Sequence, residues 1–203
     1  MSEEIKEKEI KVDDIRKEAE NQKKCPVEKA LFYTQEFLAG PMCGRCFPCS
    51  FGTYETQIRL KKIIEGNATD QDLATVKKIA EQMAIGSLCK KGKDTAKFIL
   101  EWIDTGAFGE HVIEGRCPDQ ECPGYFEYRI VPEKCIMCGD CLNVCRFNAI
   151  FGDKKKPYLS GYLPFEIRQK RCTKCGECVP NVCPTDAIVI VEVKPKILEP
   201  APV

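Results

Sequence analysis

"PEKCIMCGDCLNVCRFNAI" occupies residues 132–150, and "QKRCTKCGECVPNVCPTDAI" follows at 169–188. The second stretch repeats the first. Each runs C-x2-C-x2-C and then adds a fourth cysteine: Cys135, Cys138, Cys141 and Cys145, then Cys172, Cys175, Cys178 and Cys183. Such a duplication predicts one folded unit built from two similar halves. A cubane iron–sulfur cluster presents four iron corners, each suited to one soft thiolate. Three cysteines at steps of three wrap one loop around three corners, and the fourth corner must be reached from elsewhere. Short β-type segments accompany the copies: "YFEYRIV" (125–131), "AIF" (149–151) and "AIVIVEV" (187–193).

The pattern resembles the bacterial two-cluster ferredoxins, in which the fourth cysteine of each motif ligates the other cluster. That resemblance implies one [4Fe–4S] cluster on Cys135, Cys138, Cys141 and Cys183, and another on Cys172, Cys175, Cys178 and Cys145. Gly139 and Gly176 are expected to let the backbone turn closely around the sulfurs. Arg146 stands where the family has proline, and four residues rather than three precede Cys183. The spacer around "LSGYLPFE" (159–166) is longer than usual and suggests a surface loop. Zinc is the competing metal, but structural zinc sites pair two short knuckles and fit a duplicated triplet poorly.

Fifteen cysteines in 203 residues restrict the chain to disulfide, zinc or iron–sulfur chemistry. The N-terminus "MSEEIKEKEIK" is charged from residue 3 and lacks the apolar core of a secretory signal. "AIVIVEV" is too short to span a bilayer. A reducing, cytoplasmic setting is therefore expected. Lys and Arg number 31, as do Asp and Glu, and a net charge of zero argues against non-specific nucleic-acid binding. The basic runs "CKKGK" (89–93) and "DKKKP" (153–157) read as solvated turns.

Residues 25–108 read as a small four-helix-type bundle, giving an α+β chain overall. "PVEKALFYTQEFLAG" has a proline suited to a first helical position and closes on Gly40. "YETQIRLKKIIEG" ends at Gly66, and Thr69 with Asp72 has capping-box spacing ahead of "LATVKKIAEQMA". "TAKFILEWIDTG" carries Ile99, Leu100, Trp102 and Ile103 as core candidates. Around this bundle the sequence divides into a charged N-terminal arm (1–24), a linker (109–128), the two-cluster unit (129–193) and a proline-rich tail (194–203). The arm has too little apolar surface to fold alone.

Within the bundle, "MCGRCFPCS" (42–50) supplies a third triplet, Cys43, Cys46 and Cys49. The next cysteine is Cys89, in "SLCKKG". A cubane held by the triplet and one distant cysteine is the natural reading. "CGxCxPC…SLC" resembles the C-terminal iron–sulfur domain of the flavin-carrying, NADH-binding subunit of respiratory complex I. It is still more similar to the diaphorase-type subunit of NAD(P)-linked and electron-bifurcating hydrogenases, where a two-cluster ferredoxin domain follows the same helical domain. The resemblance covers about residues 25–190. Cys43, Cys46, Cys49, Pro48 and Gly52 match the family motif, while Pro41, Met42, Ser50 and Phe51 depart from it. The flavin and nicotinamide domain of that family is not expected on this chain, which has no G-x-G-x-x-G loop.

Twelve cysteines are then used, and Cys25, Cys117, Cys122 and the only histidine, His111, are left over. Three Cys and one His make a complete zinc set, and the family resemblance implies zinc at this position. Such a zinc would staple the first bundle helix to the linker. Free cysteines with a surface histidine, or a fourth iron–sulfur cluster with a histidine ligand, are the alternatives.

The resemblance implies an iron–sulfur electron-transfer subunit with three [4Fe–4S] clusters and one zinc, and with no flavin of its own. Electrons would pass singly between a flavoprotein that handles NAD(P)H and a ferredoxin or second redox subunit, with an electron-bifurcating complex as one such setting. No catalytic acid, base or nucleophile is needed. A freely diffusing polyferredoxin and a zinc-binding interaction module are the rival readings.

Overall fold

The computed structural model describes residues 11–154, 165–179 and 181–195. Most of the "LSGYLPFE" spacer, and residues 1–10 and 196–203 of the expected arm and tail, lie outside them. The chain divides into two compact units, residues 1–125 with 194–203, and residues 126–193.

The first unit is helical: α1 (Val12–Gln22), α2 (Pro26–Ala39), α3 (Phe47–Ile64), α4 (Asp70–Gly86) and α5 (Lys90–Asp104). A short turn of helix, α6 (Ala107–Gly109), runs into one π-helical turn over Glu110–Glu114. Helix α2 packs on α1, α3 and α5, while α4 fills the gap between α3 and α5. Val76, Ala80 and Ile99 join α4 to α5, and two larger apolar clusters hold the remaining contacts. One joins Val27, Ala30, Leu60, Ile63, Phe108 and Tyr125. The other joins Ile15, Ala19, Tyr33, Phe37 and Phe98. The Tyr33 and Phe98 rings stack with centroids 4.3 Å apart, a geometry that adds to simple area burial.

Residues 12–22, within the stretch read as an arm, form a helix. Ile15 and Ala19 lie one turn apart and are fully buried, so one narrow stripe suffices to dock an otherwise charged helix. Helix α3 starts at Phe47, earlier than "YETQ", because Cys46 is its N-cap and Pro48 occupies its first turn. Helix α5 likewise starts at Lys90, directly after its N-cap Cys89. The capping box ahead of α4 is present: the Asp72 amide donates to the Thr69 hydroxyl, and the Thr69 amide donates to the Asp72 carboxylate. Of the four core candidates in α5, Ile99 is fully buried and Leu100, Trp102 and Ile103 are partly buried. Within the stretch read as a linker, His111, Cys117, Cys122 and Tyr125 are buried in the first unit, while residues 126–128 belong to the second. Pro195, at the start of the expected tail, packs against Gly66 and Gly115 of the same unit.

The second unit pairs β1 (Phe126–Ile130) antiparallel with β4 (Ile188–Glu192), Phe126 opposite Glu192 and Ile130 opposite Ile188. A second antiparallel pair joins β2 (Ile150–Phe151) to β3 (Glu166–Ile167). One short helix, α7 (Asp140–Val144), lies between β1 and β2 in sequence. Phe126, Tyr128, Ile150, Phe165 and Ile188 form the unit's core together with Cys141, and Cys135, Cys145, Cys172, Cys178 and Cys183 pack against it. The repeat in sequence is a repeat in backbone. Met137 and Lys174, Gly139 and Gly176, and Asn148 and Asp186 are three equivalent pairs, and all six residues have positive φ.

Candidate metal centres

Each triplet finds its fourth cysteine in space. In the first unit, Cys43, Cys46, Cys49 and Cys89 line one cavity, with Phe37, Arg45 and Lys91 around it. The two helices that begin at Cys46 and Cys89 both start at this cavity. Their N-termini carry partial positive charge, which favours thiolates and a negatively charged cluster. Packing four thiols without a metal is unfavourable for ionisation. Burial, followed by the neighbouring cysteines, pushes the Cys49 thiol up to about 11.

The cavity fits a cubane in a second respect. The Ser87 hydroxyl is buried and has no hydrogen-bond partner among the described residues. A Cβ on Gly92 would meet Ser87 Oγ at 2.8 Å and Cys49 Sγ at 3.0 Å. Gly92 thus leaves room where α5 passes the sulfurs, and the Ser87 donor is free for a cluster sulfide or thiolate. Neither residue stands out in the sequence. Only "SLC" hints at Ser87.

In the second unit the sets are crossed between the two repeats. Cys135, Cys138, Cys141 and Cys183 line one cavity. Cys145, Cys172, Cys175 and Cys178 line the other, with the Tyr128 ring as one wall. Burial again pushes Cys141 and Cys178 up to about 11. Backbone amides soften this at the fourth cysteines. Ala149 N–H donates to Cys145 Sγ at 3.4 Å, and Ala187 N–H donates to Cys183 Sγ at 3.2 Å. Although burial opposes it, backbone amides, those of Thr185 and Ala187 foremost, hold the Cys183 thiol below its ordinary value. Arg146, the departure from the ferredoxin pattern, pairs with Glu177 at 3.3 Å and so ties the residue after Cys145 to the Cys175–Cys178 loop.

The four leftover residues meet as well. Cys25, His111, Cys117 and Cys122 are all buried, with their ligand atoms within 4.8 Å of one another. Cys25 Sγ stands 3.3 Å from His111 Nε2 and 3.5 Å from Cys122 Sγ. A tetrahedral zinc with Zn–S near 2.3 Å would space its sulfurs by about 3.8 Å, so the separations suit that ion and no disulfide is formed. Ala107 O can only accept, so His111 Nδ1 donates to it at 2.7 Å, and Nε2 is the nitrogen that would hold a metal ion on giving up its proton. Burial pushes the imidazole down, but the Cys117 and Cys25 thiols and the Ala107 carbonyl outweigh it and hold the pKa at about 10. The Cys117 thiol is lowered by hydrogen bonds from Cys122 and Cys25, while Cys122 is raised by the same contacts and burial. Glu121 fixes the approach of Cys25 by accepting its backbone N–H at 2.7 Å. The cluster can hold a metal ion.

Residues 29–111 match the NADH-ubiquinone oxidoreductase-F iron-sulfur binding region, and residues 134–187 match the 4Fe-4S dicluster domain. The chain is an F-type iron–sulfur binding region joined to a two-cluster domain. It is 35% identical to the NADP-reducing hydrogenase subunit HndC of Solidesulfovibrio fructosivorans over 136 residues, covering 66% of this chain and 28% of that subunit. It is 37% identical over 75 residues to the NADP(+)-dependent formate dehydrogenase subunit beta of Moorella thermoacetica, 37% of this chain and 11% of that one. It is 30% identical over 78 residues to the F-type subunit of the NADH-quinone oxidoreductase of Aquifex aeolicus, 38% of this chain and 18% of that one. The chain therefore spans well under a third of each of these relatives. As an F-type iron–sulfur region it carries [4Fe–4S] clusters for electron transfer. Among the described residues, no helix is long and apolar enough to cross a membrane.

Proposed function

We propose that the chain relays single electrons through three [4Fe–4S] clusters in a flavin-dependent oxidoreductase complex. The ligand sets are Cys43, Cys46, Cys49 and Cys89; Cys135, Cys138, Cys141 and Cys183; and Cys172, Cys175, Cys178 and Cys145. The observation that carries this reading is that each set of four lines its own cavity within a matched iron–sulfur region. Bound cubanes supply reversible one-electron chemistry. The protein holds them, shields them and sets their potentials through amide and hydroxyl donors. Cys25, His111, Cys117 and Cys122 hold a structural zinc that pins α2 to the segment following α6.

The partner is a flavoprotein subunit that handles NAD(P)H, with a ferredoxin or second redox subunit at the other end. An exposed apolar stripe supports a protein partner beside the first cluster. Phe47, Phe51, Tyr54 and Ile58 share one face of α3, and Phe47 and Phe51 stack at 5.0 Å. Leu88, 81% exposed, precedes the cluster ligand Cys89. Contiguous exposed apolar surface of this kind marks a binding face.

Anaerobic purification of the native complex, with metal and flavin analysis, tests the reading. About twelve irons per chain, from three cubanes, one zinc and flavin on a different polypeptide are expected. A colourless chain that carries zinc alone would refute the relay.

A further inference from the structure

We propose that Glu121 is the positioning residue that brings Cys25 onto the metal shared with His111, Cys117 and Cys122, and that it sets how firmly this site keeps its ion. The proposal rests on the reading of these four residues as a zinc site.

Cys25 is the ligand that comes from far away. It is the N-cap of α2, in extended backbone, and its side chain makes no capping bond. A helix commonly satisfies its N-cap amide locally, with a Glu or Gln at the third helical position. Glu28 occupies that position in α2, but its carboxylate turns to Lys23 at 3.5 Å. The Cys25 amide donates instead to Glu121 at 2.7 Å, across 96 positions of sequence. The Lys24 amide donates to the same carboxylate oxygen at 2.9 Å. Two consecutive amides on one charged acceptor fix both the place and the direction of the main chain at Cys25.

Glu121 directly precedes the ligand Cys122, whose sulfur stands 3.5 Å from Cys25 Sγ. Residues 121 and 122 therefore grip residue 25 by its main chain and its side chain at once. Their own segment is braced. The Gln120 amide donates to Cys117 O at 3.1 Å, the Tyr125 amide to Cys122 O at 3.1 Å, and the Gly124 amide to Ile64 O at 2.9 Å. A ligand already held in place need not be ordered when the ion binds, so the clasp favours retention. With the clasp broken, Glu28 can take the Cys25 amide and cap α2 locally. The helix then stays capped while the Cys25 sulfur loses its register with Cys122. Charge is not the agent, since a carboxylate adds negative charge beside three thiolates and Lys23, 3.9 Å from the other oxygen, offsets it. Glu121 supplies an acceptor of the right reach.

The test exposes the full chain, purified anaerobically with its metals, to EDTA for timed intervals and then counts zinc and iron. Glu121→Ala is expected to lose zinc roughly tenfold faster than the wild type, with iron unchanged. Glu121→Gln keeps the acceptor and the reach without the charge, and should hold zinc as the wild type does. Glu121→Asp keeps the charge but is one carbon short, and should release zinc as the alanine variant does. Glu28→Gln should hold zinc like the wild type. Zinc-edge X-ray absorption reads the ligands directly: three sulfurs and one nitrogen in the wild type, and one sulfur fewer in Glu121→Ala. Equal zinc loss from Glu121→Ala and the wild type, three sulfurs kept in the alanine variant, equally fast loss from Glu28→Gln, or fast loss from Glu121→Gln with slow loss from Glu121→Asp would overturn the proposal. The Gln and Asp pair decides it even where Glu121→Ala does not fold. A wild-type chain that holds no zinc would sink the site itself, a separate outcome read before any variant is made.

Discussion

His111 Nε2 stands 3.3 Å from the sulfur of Cys25, a residue 86 positions earlier in the chain. The Ala107 carbonyl accepts from Nδ1 on the opposite side of the ring and so turns Nε2 toward that sulfur. The contact joins the N-cap of α2 to the π-helical turn after α6. One metal ion there would fix both ends of the first unit's core.

Cys117→Ser should therefore release zinc while the iron content holds. Metal analysis of the purified variant is expected to fall from about one zinc to near none, with iron still near twelve. The thermal midpoint should drop, since binding energy at such a site is folding energy. Loss of four irons instead would place Cys117 on a cluster and reject the zinc set.

Gly92→Val should empty the bundle cubane. Even one added carbon would lie 3.0 Å from Cys49 Sγ and 2.8 Å from Ser87 Oγ, closer than packed atoms tolerate. The expected result is a loss of about four irons of twelve, with the two redox waves of the 126–193 unit unchanged. Ser87→Ala is the milder companion. It removes a buried donor without adding bulk, so iron should be retained and the bundle cubane's potential should fall.

Asp72 links stability to acid. Its carboxylate accepts from the Thr69 amide and hydroxyl at 3.0 Å and pairs with Arg59 and Lys62. Burial alone would raise its pKa, but these bonds outweigh it and hold the pKa below the ordinary value. The stabilisation is therefore present above the unfolded value near 3.9 and is lost as pH falls through the lower folded value. Asp72→Asn should cost about 1 kcal/mol at neutral pH and flatten the acid limb of the stability curve. Denaturant titrations between neutral and acid pH would read both effects, and an unchanged acid limb would exclude Asp72 as its source.

Phe47→Ser with Phe51→Ser should leave the fold intact, because both rings are more than half exposed. Surface changes of this kind stay within about 0.5 kcal/mol. Iron content should hold, while co-purification with the flavoprotein partner should be lost. Retained co-purification would move the docking face elsewhere.

The metal-binding character of this chain is written in local spacing. C-x2-C-x2-C places three sulfurs on one loop whatever the rest of the chain does, and the repeat at 132–150 and 169–188 predicts the two similar halves. The Thr69–Asp72 box and Pro26 are likewise local, so α4 and α2 could be read directly. Helix α1 could not. Its docking rests on Ile15 and Ala19 meeting the Tyr33, Phe37 and Phe98 surface, and the charged residues between them hide that stripe from a reading based on composition. Ser87 and Gly92 were also hidden, since a serine's role depends on what its hydroxyl faces.

By itself, the sequence determined the soft-ligand chemistry, the duplicated two-cluster unit and the order of helical and sheet-containing parts, because each depends on residue type and short spacing. What gathers each fourth candidate ligand beside its partners is the tertiary structure. Cys89 comes to the Cys43–Cys49 triplet when α4 turns the chain back, Cys183 and Cys145 cross between the halves, and Cys25 reaches His111 through the packing of α2. A sulfur's neighbours across tens of residues are fixed by helix packing and strand pairing, and those are properties of the folded core.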